Sequence, residues 1–200
     1  MNLKYVIRGI PFLFVMAALT LPAWAASPME EIKQTTEKII SIVTNPSLKG
    51  PSKTLEREKQ IRQAVDERFD WEEMARRSLA THWAKRTDAE KKEFVRLFSD
   101  LVERTYMKKV EGYSGEKVVY EGEAQDGDYA SVKVRIVTQK NQDIPVEYRL
   151  KKEGNDWFVY DVSIEGVSLV NNYRTQFNGI LLQSSYENLV KKLKEKGEQR

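Results

Sequence analysis

The sequence predicts an α+β domain, a four-stranded twisted antiparallel sheet with helices packed on one of its faces. Three observations carry that reading. From Met29 to Tyr106, apolar residues recur at helical spacing in several segments, most of them opened by a capping residue. After Gly115 the period drops to two, through runs separated by turn residues. After Gly166 the helical period returns.

The first residues read as a leader and not as part of the fold. Lys4 and Arg8 precede the apolar run Ile10 to Leu21, which is too short to span a bilayer comfortably. Ala23-Trp24-Ala25 then has the small-x-small pattern cut by signal peptidase, so residues 1–25 are expected to be a cleaved signal peptide and residues 26–200 a single domain. Cleavage would remove two basic and no acidic residues, and the formal charge would fall from +3 to about +1.

Ser27-Pro28-Met29-Glu30 opens a helix with the spacing of a capping box and proline at its first position, running to about Thr44. Asn45-Pro46 and Gly50-Pro51 mark loops. Leu55, Ile61, Val65 and Phe69 lie on a second, very polar helix. Asp70 is the cap of a third, carrying Met74, Ser78, Leu79 and Trp83. Thr87-Asp88-Ala89-Glu90 is another capping box and opens the longest helix, which Gly112 and Gly115 end. Strands follow at Val118–Tyr120, at Val132–Ile136 and at Val146–Leu150. In the last strand Phe158, Tyr160, Val162 and Ile164 are expected on one face, with Asp161 and Ser163 on the other. A helix resumes near Asn171 or Asn172, and a final one covers about Tyr186 to Lys196.

Composition excludes several classes of chemistry. The chain has no cysteine, which removes disulfides, thiolate catalysis and lipoprotein anchoring. Its single histidine, His82, would have to serve any Ser-His-Asp arrangement, and no accompanying pattern is present. The charges form no long run of one sign, which argues against nucleic acid as a partner. Neither a phosphate-cradling glycine loop nor a nucleophile elbow occurs. Asp161 points away from the apolar face of its strand and reads as a structural hydrogen-bonding or ion-pairing group. The pairs Glu30-Glu31 and Glu72-Glu73 sit in helix first turns, where the macrodipole favours acids. Arg76, Arg77, Lys85, Arg86, Lys108 and Lys109 form solvated helix faces, which an anionic headgroup or acidic partner could also meet.

The segment Phe69-Asp70-Trp71-Glu72-Glu73-Met74-Ala75-Arg76-Arg77-Ser78-Leu79, followed by His82-Trp83, resembles the MlaC family, also called the toluene-tolerance auxiliary family. So do Arg104-Thr105-Tyr106, Trp157, Tyr160-Asp161-Val162, Glu165-Gly166-Val167-Ser168 and Tyr173-Arg174-x-Gln176-Phe177. The similarity covers essentially the whole chain after the leader. One departure is Ala80, where family members often carry glycine.

The resemblance implies a soluble, non-enzymatic periplasmic carrier of phospholipid, with the lipid as cargo and no cofactor. It implies exchange with an inner-membrane ABC transporter complex bearing an MCE-domain subunit, and with an outer-membrane lipoprotein–porin complex, in maintaining outer-membrane lipid asymmetry. The acyl chains would enter an apolar cavity between sheet and helices. As a group, the expected lining is Phe94, Leu97, Phe98, Leu101 and Tyr106 from the long helix. The sheet would add Val132, Val134, Ile136, Val146, Tyr148, Leu150, Tyr160 and Val162. The helix after Gly166 would add Val170, Tyr173 and Phe177. The rival readings are a small periplasmic hydrolase or isomerase with an apolar pocket, and a binding module with a solid core.

Overall fold

A computed structural model describes residues 26–198, and the expected signal peptide lies outside the described residues. The first helix, α1 (Pro28–Thr44), starts where the Ser27 hydroxyl accepts from the Glu30 N–H at 3.3 Å. Two short 3-10 turns, Pro46–Leu48 and Pro51–Lys53, lead to α2 (Thr54–Asp66). Phe69 was expected on this helix. It lies beyond the helix end, in a stretch that pairs with the sheet: the Val159 N–H donates to the Arg68 carbonyl at 2.8 Å and the Asp70 N–H to the Val159 carbonyl at 2.9 Å.

Asp70 then caps α3 (Trp71–Leu79), its carboxylate accepting from the Glu73 N–H at 2.9 Å. This helix stops before Trp83 because Ala80 takes a positive φ of 49°, and His82 and Trp83 fall on the following 3-10 segment, Ala80–Lys85. The complete Thr87/Glu90 capping box opens α4 (Asp88–Glu111).

The strands are β1 (Lys117–Asp126), β2 (Tyr129–Val137), β3 (Asp143–Glu153), β4 (Asp156–Ile164) and β5 (Val167–Ser168), hydrogen-bonded in that order in one antiparallel sheet. The fifth strand corrects the expected count of four. Glu165 and Gly166, at φ 51° and 81°, reverse the chain so that Val167 pairs back with Ile164. Ser168 closes this strand and also caps α5 (Leu169–Gln183), which therefore begins before the expected Asn171. The last helix is α6 (Tyr186–Glu198).

The register assigns the sheet's inner face. Val132 opposes Tyr148, Val134 opposes Val146, and Tyr148 opposes Val162. In β4 the expected alternation is wrong in phase. Leu150 pairs with Val159 and Arg149 with Asp161, which leaves Tyr160 as an extra, bulged residue. Before the bulge the buried side chains are Trp157 and Val159. Val162 and Ile164 continue the inner row after it, while Phe158 and Tyr160 lie under the guanidinium groups of Arg68 and Arg77, at 5.9 and 4.1 Å from the ring centroids.

Helix α1 lies against β1 and β2 with α2 resting on it; α3 and α5 pack together beside β4, and α4 packs against α3 and α6. Between α4, α5 and α6 the rings of Phe94, Phe98, Tyr173, Phe177 and Tyr186 interlock, with neighbouring centroids 5.4–6.4 Å apart.

Candidate functional site

The sheet and helices do not close completely. Between the second half of α4, helices α1 and α2 and the sheet there remains a partly open cavity of about 200 Å³. Its α4 wall is Val102, Tyr106 and Val110 with Met107 beside them, a stripe with helical i, i+4 spacing. Ile32, Thr36 and Ile39 face it from α1, and Ile61 and Val65 from α2. Tyr148, Val162 and Ile164 form the sheet side, and Phe69, Trp71 and Leu169 close one end. The surface so enclosed is overwhelmingly apolar.

Two ion pairs interrupt it. Arg68 contacts Glu31 and donates from Nη1 to the Trp157 carbonyl at 2.7 Å and from Nε to Thr35 Oγ1 at 3.3 Å, which fastens α1 to the sheet. Arg62 on α2 reaches across to α4, donating to Asp100 at 2.9 Å and contacting Glu103. The Glu103 carboxylate is almost fully buried, and its Oε2 has no well-aligned hydrogen bond. Burial pushes its pKa up to about 7; the Arg62 charge opposes the rise, and Asp66 and Asp100 add to it. Burial likewise pushes the phenol of Tyr148, another lining residue, up to about 12, with Tyr120 adding to the shift.

Such a wall can exclude water from hydrocarbon. His82 lies away from the cavity, with Nε2 3.3 Å from the Asn178 side-chain oxygen. Asp161 is a structural group: it accepts from the Ser168 hydroxyl at 2.6 Å and the Val170 N–H at 3.1 Å and faces Arg149 at 3.6 Å, anchoring the start of α5. Among the described residues no group of His, Asp and Glu is placed to hold a metal ion.

Of the residues read from the sequence as lining, the cavity brings together Tyr106, Tyr148 and Val162. Phe94, Phe98, Tyr173 and Phe177 belong to the interlocked rings, and Leu97 and Leu101 are buried on the same helix. Val132, Val134, Val146 and Leu150 are buried in the core with Ile136 packed against them, Val170 is buried beside Asp161, and Tyr160 lies outside under Arg77. Sequence reasoning missed the contributions of α1 and α2. Their stripes at Ile32, Thr36, Ile39 and at Ile61, Val65 were legible as helix faces, but nothing in the spacing distinguishes a face on a cavity from one on a core.

The profile of the MlaC family, described as MlaC protein, matches residues 33–195. The chain belongs to the MlaC family. A member from Haemophilus influenzae, the intermembrane phospholipid transport system binding protein MlaC, is 29% identical over 121 residues. That alignment covers 58% of this chain and 56% of the relative, so the chain matches little more than half the length of that MlaC protein. A solved structure of a phospholipid-binding protein from Ralstonia solanacearum, in complex with a phospholipid, superposes with a TM-score of 0.78 at 23% identity. It covers 87% of this chain and 98% of its own, so the MlaC-family chain and this structure share a fold.

Proposed function

We propose that this protein is a periplasmic carrier that shelters phospholipid acyl chains in the cavity under α1 and α2. It would move lipid between an inner-membrane ABC transporter complex with an MCE-domain subunit and an outer-membrane lipoprotein–porin complex. One observation carries the reading: a nearly wholly apolar cavity between sheet and helices, in a family with a phospholipid-transport relative and in a fold seen elsewhere with phospholipid bound.

Two acyl chains carry about 30 methylenes, and exposing them to water costs on the order of 20 kcal/mol at roughly 0.8 kcal/mol each. A carrier removes that barrier by replacing water with apolar wall. The headgroup can remain in water, so selectivity for it should be weak. At about 200 Å³ the cavity exceeds the roughly 150 Å³ that takes up benzene, yet it holds only part of a tail. Loading therefore requires the helices to shift against the sheet. Gly115 and Gly166, both at positive φ, and Gly112 lie where element types change and supply candidate hinges.

The test is native purification followed by organic extraction, with native mass spectrometry for lipid count and oligomeric state. Copurified phospholipid of mixed headgroups is expected. Lipid-free protein that turns over a small ester or carbonyl substrate would replace the carrier with the enzyme reading. Lipid-free, inert protein would leave a binding scaffold.

A further inference from the structure

The cavity wall is not equally strong all round. On the sheet side it is hydrogen-bonded strand to strand. Beyond the cavity, α4 is tied to α5 and α6 by interlocked rings. Helix α1 is pinned by Arg68–Glu31 and by the Met29 N–H donating to Glu123 at 2.7 Å. The seam between α2 and α4 differs. Helix α2 packs closely on α1 but not, to any comparable degree, on α4. Arginine ion pairs bridge the gap. Arg57 donates from Nη2 and Nε to Glu111 Oε1 at 2.6 and 2.9 Å, and Arg62 holds Asp100 and Glu103.

The pairing of Arg57 with Glu111 and Arg62 with Asp100 and Glu103 makes the two helices antiparallel along the seam. The Arg62 side chain lines the cavity and is still 44% exposed. At that point the wall is one side chain thick.

We propose that the α2–α4 seam is the portal through which acyl chains enter and leave, with Arg57 and Arg62 as latches that unfasten to let α2 swing out on α1. The inference rests on the carrier reading. It identifies the moving wall as α2, independently of any shift between α4 and the sheet. Ion pairs suit a latch because both partners are solvated by water once they part, which offsets the lost attraction. An apolar seam would expose hydrocarbon at every opening. The Arg62 latch is weaker still, because burial of Glu103 works against the attraction.

The absence of cysteine in the sequence makes a direct test possible. Arg57→Cys with Glu111→Cys, and separately Arg62→Cys with Asp100→Cys, are joined by a reducible bis-maleimide. Uptake of a fluorescent phospholipid is followed from phosphatidylethanolamine–phosphatidylglycerol vesicles. As a control, Arg77→Cys is joined to Arg174→Cys across the α3–α5 seam. Joining either portal pair should slow uptake at least tenfold, with recovery on reduction, and the control pair should transfer lipid at the parent rate. A joined portal pair that loads as fast as its reduced form overturns the portal. Folded parent and reduced variants that take up no lipid overturn the carrier reading, and the portal with it. Without crosslinking, Arg62→Met combined with Glu103→Gln should speed uptake severalfold; an unchanged or slower rate counts against the latch.

Discussion

The two ends of α4 meet different surroundings. Its first half presents Phe94 and Phe98, fully buried, to α5 rings that pack edge to face and to the tilted ring of Tyr186 on α6. Its second half presents Val102, Tyr106, Met107 and Val110 to an open space roofed by α1 and α2. Both halves use ordinary apolar residues at helical spacing. The difference is in what stands opposite. Large rings from two helices fill the first gap, while in the second the neighbours are medium-sized aliphatics on a two-helix roof that meets α4 through arginine ion pairs. A packed half gives the molecule a stable frame. A half held away from close packing gives it space, at the expense of dispersion contacts that its lining atoms do not make.

Mutations should separate the two halves. The largest effect is expected from Phe98→Ala, which removes a ring at the centre of the aromatic cluster and should cost about 3–5 kcal/mol in urea unfolding. A loss below about 1 kcal/mol would mean that this half is not the frame. Next comes a pair of enlargements. Val132→Trp in the packed core should destabilise by about 1–3 kcal/mol, whereas Met107→Trp, growing into the cavity, should cost under about 1 kcal/mol and cut copurified lipid instead. Equal destabilisation by both would erase the contrast.

Smaller in size is the pH dependence of Glu103. Its pKa is about 7 when folded and near 4.5 when exposed, so between those values the folded state holds a proton that the unfolded state lacks. The contribution of this group to stability should therefore be fully present below about pH 4.5 and be lost as pH rises through 7. Glu103→Gln should raise stability by about 1–2 kcal/mol at pH 8 and by nothing near pH 4.5, as read from unfolding midpoints at the two pH values. The smallest effect is at Ala80, whose φ of 49° suits glycine. Ala80→Gly should add about 1 kcal/mol in thermal or urea unfolding while leaving lipid uptake unchanged.

Much of the fold was legible because local rules were obeyed. Thr87 and Glu90 sit where a helix must begin, and the runs around Val132–Ile136 and Val146–Leu150 alternate cleanly. The misreadings have local causes too. Trp157, Phe158, Val159 and Tyr160 are all apolar or aromatic, so either phase of β4 looked acceptable, and the bulge at Tyr160 chose between them. Strand β5 has only two residues, too few to show a period. Phe69 fitted the helical stripe of α2 but pairs with Val159, a partner ninety residues away that no local pattern reveals. The candidate site was legible as a kind of surface and only partly as a place: Tyr106, Tyr148 and Val162 lie on it, and the walls from α1 and α2 were unforeseen.

By itself, the sequence determined the period of each segment, the caps that start the helices, the membership of a family and the chemistries ruled out by a lack of cysteine and a single histidine. Only the tertiary structure decided which apolar faces meet and which stand apart. Burial of a side chain depends on its own hydrophobicity and spacing, which are written locally. A void depends on the volumes brought opposite one another from α1, α2, α4 and the sheet, and those become neighbours only when the chain has folded.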